Sequence, residues 1–114
     1  ASDFHGKYEA YSQKDFQLKA KGKYRKGVKH GQWIDYYPGG VVPTIISEYR
    51  EGKLHGVFKQ LDPRGNLVYE IHYKNGLKHG PFIVYGENGN VVSLKEFRFG
   101  QEVSKSGSQD LFTP

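Results

Sequence analysis

Short stretches in which apolar residues fall on every second position run through this chain, separated by clusters of Gly, Asn, Asp and Pro. No stretch keeps a helical period with caps, so the pattern predicts strands and tight turns throughout. Leu67, Tyr69, Ile71 and Tyr73 alternate in this way, as in a half-buried strand. Before them lie Phe58 to Leu61 and the turn sequence Asp62-Pro63-Arg64-Gly65-Asn66, which together predict a β-hairpin. The same order recurs in Phe82 to Tyr85, Glu87-Asn88-Gly89-Asn90 and Val91 to Phe97. It recurs again in Gln32 to Tyr37, Pro38-Gly39-Gly40 and Val41 to Tyr49, where one extra residue and Pro43 predict a bulge or a break in the ladder. The first copy diverges most: Asp15 stands where later copies have Gly40, Gly65 and Gly89. Its return strand sets Leu18, Ala20 and Gly22 against Lys19, Lys21 and Lys23, so one face is expected to carry a lysine row facing water.

The copies share a linking stretch, seen in Tyr73-Lys74-Asn75-Gly76-Leu77-Lys78-His79-Gly80, in Tyr49 to Gly56 and in Tyr24 to Gly31. His-Gly pairs fall at 5, 30, 55 and 79, steps of 25, 25 and 24 residues, and a fixed step of that size predicts a stacked repeat architecture. The array is expected over residues 1–103, in units 4–23, 24–48, 49–72 and 73–103, with a polar tail at 104–114 in which Leu111 and Phe112 are candidates to cap the last hairpin. After Phe97-Arg98-Phe99-Gly100 the frame fails, because Gln101 to Ser104 replaces the approach to His-Gly.

Three columns follow from the period: Tyr8, Trp33, Phe58 and Phe82; Tyr11, Tyr36, Leu61 and Tyr85; Tyr24, Tyr49, Tyr73 and Phe97. They hold 11 of the 17 aromatic residues, so ring packing between neighbouring hairpins is expected to supply the core. The first two columns are three residues apart, an odd offset that points them to opposite faces unless a bulge intervenes. Tyr11, Tyr36 and Tyr85 are therefore the candidate partner-binding row, since Tyr offers large contact area with a polar tip.

The four repeat histidines are poorly spaced to share a metal, because successive hairpins advance by about 9–10 Å while zinc needs donors at about 2 Å. Each is expected to close its tight turn, with the ring bonding local backbone; His72 lies outside the register and adds no site. No catalytic, phosphate-loop, metalloprotease or dinucleotide signature is present, so neither catalytic residues nor a cofactor is expected. The chain has no Cys, and its longest apolar runs are far short of a membrane span. The absence of Met and the start inside a repeat suggest a processed piece of a longer chain, from the cell envelope or secreted after signal removal, otherwise cytoplasmic.

A formal charge of +5 is unevenly placed: residues 1–30 hold eight Lys/Arg against three acids, the rest roughly balancing. Lys19, Lys21, Lys23, Arg25 and Lys26 are thus candidates for anion or anionic-lipid contact. No nucleic-acid partner is expected. Open sheet edges would allow oligomers by edge-strand pairing.

The unit Tyr-x-x-Gly-x-x-His-Gly-x-aromatic-x-x-Tyr, followed by Asn-Gly or Gly-Asn turns, resembles the MORN repeat, and more closely the bacterial variant in YwqK-type antitoxin-like proteins. The likeness covers about residues 4–103 and is most specific in Tyr73–Phe97 and Tyr49–His72, departing at Asp15 and at the lost fifth His-Gly. It implies an all-β, elongated and twisted antiparallel sheet of stacked hairpins without a catalytic site. It also implies a module that binds protein or phospholipid, with neutralisation of a toxin as the role attached to the YwqK-type name. Carbohydrate binding is the least favoured reading, since comparable cell-wall repeats lean on Trp and this chain has one.

Overall fold

Four dipeptides at repeat spacing take up left-handed backbone: Lys26-Gly27, Glu51-Gly52, Asn75-Gly76 and Phe99-Gly100, with φ of 49–54° at the first residue and 79–89° at the glycine. Two successive positive φ angles make the two-residue turn whose twist matches that of the strands it joins. These turns link one hairpin to the next. The computed structural model describes residues 4–103, and the expectations for the tail lie outside them.

The strands are β1 (Gly6–Tyr11), β2 (Leu18–Arg25), β3 (Val28–Tyr36), β4 (Pro43–Arg50), β5 (Lys53–Leu54), β6 (Gly56–Leu61), β7 (Leu67–Lys74), β8 (Leu77–Tyr85), β9 (Val91–Arg98) and β10 (Gln101–Glu102). They form one open antiparallel sheet in chain order, with the short β5 paired to β4 just ahead of β6. The all-β, stacked-hairpin architecture is therefore as the periodicity predicts. The described residues measure 57 × 37 × 15 Å and contain no helix. The repeat frame reaches further than the sequence suggests: Val103 N–H donates to Glu96 O at 2.8 Å, as His55 N–H donates to Glu48 O at 2.9 Å two seams earlier.

The bulge expected only at Pro43 is present in all four hairpins. Tyr11 pairs Leu18, Tyr36 pairs Pro43, Leu61 pairs Leu67 and Tyr85 pairs Val91, so each return strand carries one extra residue: Lys19, Thr44, Val68 and Val92. Because the extra residue lies on the return strand, the outgoing strand keeps strict alternation. The first and second columns consequently sit on opposite faces.

One face is the ring face. Tyr8, Tyr24, Trp33 and Tyr49 form a continuous set at centroid distances of 5.2–6.4 Å, mostly edge to face. Phe58, Tyr69, Tyr73, Phe82 and Phe97 continue the packing in the second half. Lys29 Nζ lies 4.6 Å from the Trp33 ring and 4.9 Å from Tyr49, and Lys78 repeats this over Phe82 and Phe97 at 5.4 and 5.1 Å. Long lysine stems thus cover rings that no second layer covers. Trp33 (5% exposed), Ile71 (7%) and Ser47 (3%) are the buried side chains among the described residues. The indole fits because its flanking positions are small: Ser47 is its partner on β4, and Gly22 lies beneath it on β2. Trp33 Nε1 donates to Lys23 O at 3.0 Å, which satisfies the one polar atom of the ring.

The histidines do something other than close their own turns. His5 Nδ1 accepts the backbone N–H of Lys26 at 3.3 Å, His55 that of Asn75 at 3.1 Å and His79 that of Phe99 at 3.2 Å. Each ring therefore holds the left-handed turn of the following hairpin, 20 or 21 residues on. Beside it the preceding carbonyl accepts the turn glycine: Phe4 O from Gly27, Lys29 O from Gly52, Leu54 O from Gly76 and Lys78 O from Gly100, at 2.7–2.9 Å. At His30 only this backbone bond is present among the described residues. The His-Gly itself sits past the turn, where four residues of one strand face two of its neighbour, and Gly31, Gly56 and Gly80 supply the positive φ needed there. His55→Ala is expected to lower the unfolding free energy by about 1 kcal/mol, the net worth of one such bond. Urea midpoints measure this; an unchanged midpoint would remove the ring from the seam.

Candidate functional site

The face opposite the rings is assembled by the ladder. Reading partner to partner across eight strands gives one unbroken row: Glu9, Lys21, Ile34, Ile46, Lys59, Glu70, Ile83 and Leu94. Tyr11, Tyr36, Leu61 and Tyr85 flank it towards the hairpin loops, while Lys7, Lys23, Gln32, Glu48, Val57, His72, Pro81 and Glu96 flank it on the seam side. Lys21, Lys23 and Arg25 lie on this same face by their spacing along β2, and Lys19 is the extra residue at the bulge before them. The three tyrosines and Lys21, Lys23 and Arg25 thus share one side of the sheet, while Lys26 sits in the turn after β2.

The three tyrosines differ in setting. Tyr11 is 50% exposed and donates its hydroxyl to Glu9 Oε1 at 2.9 Å; that hydrogen bond, with burial and the Glu9 charge adding to it, raises the phenol above the usual tyrosine value. Tyr36 is half-buried. Tyr85 is half-buried too and donates to Glu70 Oε1 at 3.0 Å; burial, then the Glu70 bond and charge, raise its phenol. Lys19, Lys21, Lys23, Arg25 and Lys26 are all exposed. Among the described residues the single carboxylate ion pair is His72 with Glu70, so none of these five cations is neutralised by a described acid.

His72, dismissed above as outside the register, belongs to this face. Its Nε2 lies 2.9 Å from Glu70 Oε2, and Glu70 in turn holds Tyr85. A Glu-x-His pattern on a strand puts both side chains on one face, and that was the signal in the sequence. Burial works to raise the Glu70 carboxyl, but the hydrogen bonds from His72 and Tyr85, with the charges of His72 and Lys59, outweigh it and leave the pKa lowered. A carboxylate depressed on folding stabilises above its unfolded value and loses that contribution as pH falls through its folded one. Urea midpoints are therefore expected to drop as pH falls from about 5 to about 3. Glu70→Gln should flatten part of that fall; Asp62, also lowered, through its Asn66 and Arg64 backbone bonds outweighing burial, accounts for another part in both proteins. Equal slopes for the two proteins would mean the network contributes nothing.

Two clefts lie at the first two hairpins. One of about 390 Å³ is lined by Lys7, Glu9, Lys21, Lys23, Gln32 and Ile34, with Lys7 directly opposite Lys23 in the ladder. The other, about 380 Å³, lies between the first two hairpin loops and includes Leu18, Lys19, Tyr36, Tyr37 and Pro38. In the first loop it is Phe16, not Asp15, that takes the left-handed conformation the later glycines adopt, at φ 61°, leaving its ring 79% exposed. No described group of three His, Asp or Glu side chains is placed to hold a metal ion.

No curated protein and no solved structure matches the chain. Residues 54–75 and 78–98, the third and fourth hairpins where the repeat is cleanest, match the MORN repeat variant family.

Proposed function

We propose that this chain is a non-catalytic scaffold that binds a protein partner through the face carrying Tyr11, Tyr36 and Tyr85. MORN repeats are a non-catalytic repeat type generally associated with binding to protein or to membrane phospholipid. The observation that carries the reading is two apolar pairs on that row, Ile34–Ile46 beside Tyr36 and Ile83–Leu94 beside Tyr85, with Lys59 and Glu70 between them. Ring packing uses the other face, so these apolar side chains serve no second layer. A toxin that this chain neutralises by binding it, in the manner of an antitoxin, would be held on the same face. With the tagged chain as bait, a partner should be lost on combining Tyr36→Ala with Leu94→Asp and kept on Lys29→Ala, which alters only the ring face. The reverse pattern would sink the proposal.

Lys19, Lys21, Lys23, Arg25 and Lys26, exposed and without an ion-paired acid among the described residues, favour a second reading, contact with anionic phospholipid. Sedimentation with phosphatidylserine vesicles at low and physiological salt tests it. Binding indifferent to lipid charge or to salt would exclude it.

A further inference from the structure

The geometry points to an extended acidic segment of a protein partner as the ligand of strand β2, with its carboxylates in the lysine cleft and an apolar side chain in the cleft between the first two loops. This rests on the binding-face reading and gives it a ligand chemistry. Both clefts border β2: Lys21 and Lys23 line one, Leu18 and Lys19 the other. Along a strand, alternate residues are about 6.7 Å apart, so Lys21 and Lys23 set two charges at that spacing on one face, and Lys19 follows at the bulge. Lys7 stands directly across from Lys23, and like charges placed so are unfavourable until an anion lies between them. Glu9, the one acid in that cleft, lies opposite Lys21 in the ladder and accepts the Tyr11 hydroxyl, which leaves Lys7 and Lys23 facing each other.

The second cleft ends the ladder. Tyr36, Tyr37 and Pro38 wall it, and a backbone approach fixes its rim: a Cβ on Gly40 would come to 2.9 Å from Leu18 N. Phe16, exposed in the left-handed position of the first loop, stands in sequence between the lining residues Asp15 and Gln17. From Lys23 to Leu18 is five residues of strand. A segment of about that length would meet two carboxylate positions and then an apolar pocket. Headgroup charges on a membrane are not held in a fixed linear order, whereas alternate carboxylates on an extended peptide are, which favours a peptide.

The test uses the full chain and a labelled synthetic peptide with glutamates at two alternate positions and a leucine about three residues beyond the second. A shuffled peptide of the same composition and phosphatidylserine vesicles are the comparisons. Fluorescence anisotropy should show the ordered peptide binding more tightly than the shuffled one. Lys21→Glu with Lys23→Glu should weaken it by about tenfold or more, and Tyr36→Ala should weaken it severalfold with the melting temperature held. Lys19→Glu serves if Tyr36→Ala does not fold. Equal binding of both peptides, or vesicle binding alone lost on the lysine variants, overturns the inference. A captured protein partner lost on Tyr36→Ala with Leu94→Asp but kept on the lysine reversal overturns it too, while leaving the binding face intact.

Discussion

Trp33→Ala should cost about 3–5 kcal/mol, the range for removing a buried large aromatic side chain. Such a loss would approach the whole stability of a domain of this size. The indole is 5% exposed, touches Tyr8, Tyr24 and Tyr49, carries Lys29 over its face and spends its N–H on Lys23 O. No second layer would collapse into the space left. Urea unfolding monitored by far-ultraviolet circular dichroism measures the change. Phe82→Ala, at a half-buried ring in the same column, should cost less. Equal losses at the two positions would show that the indole is not the centre of the packing.

Gly22→Val is the converse experiment, with an expected loss of about 2–3 kcal/mol or more from overpacking. Gly22 does not have positive φ, so the backbone accepts any residue there. The obstacle is the indole: a Cβ on Gly22 would come to 2.6 Å from Trp33 Cγ. Trp33→Leu should therefore relieve part of the cost, making the double variant more stable than the sum of the two singles implies. Strict additivity would mean that the two residues do not share the space.

The period and the turn chemistry made the stacked hairpins legible in the sequence. Asn75-Gly76 has one backbone solution in a strand-to-strand link, and Lys26-Gly27, Glu51-Gly52 and Phe99-Gly100 copy it. The ring columns were legible because their spacing survives substitution. Three things were not. The extra residue in each return strand leaves no distinctive mark outside the Pro43 copy, since Thr44, Val68 and Val92 are β-branched like ordinary strand residues and Lys19 is not. The histidine bond depends on where the next turn is carried by the ladder, so a reading confined to the neighbourhood of His55 cannot find Asn75. The Glu70–His72–Tyr85 network depends on register between two strands. In the candidate site, the odd offset separated Tyr36 from Trp33. Only the ladder shows that Lys21 and Tyr36 belong to one surface.

The seam bonds also have a kinetic consequence. Each joins groups only 20 to 23 residues apart, and in the central sheet order each hairpin pairs only with its neighbours in sequence. Contacts this close along the chain carry a small entropic cost of loop closure, so folding should be fast for an all-β protein and able to begin at any unit. Opening should proceed from the ends inward, with amide exchange slowest around Trp33 and Ile71.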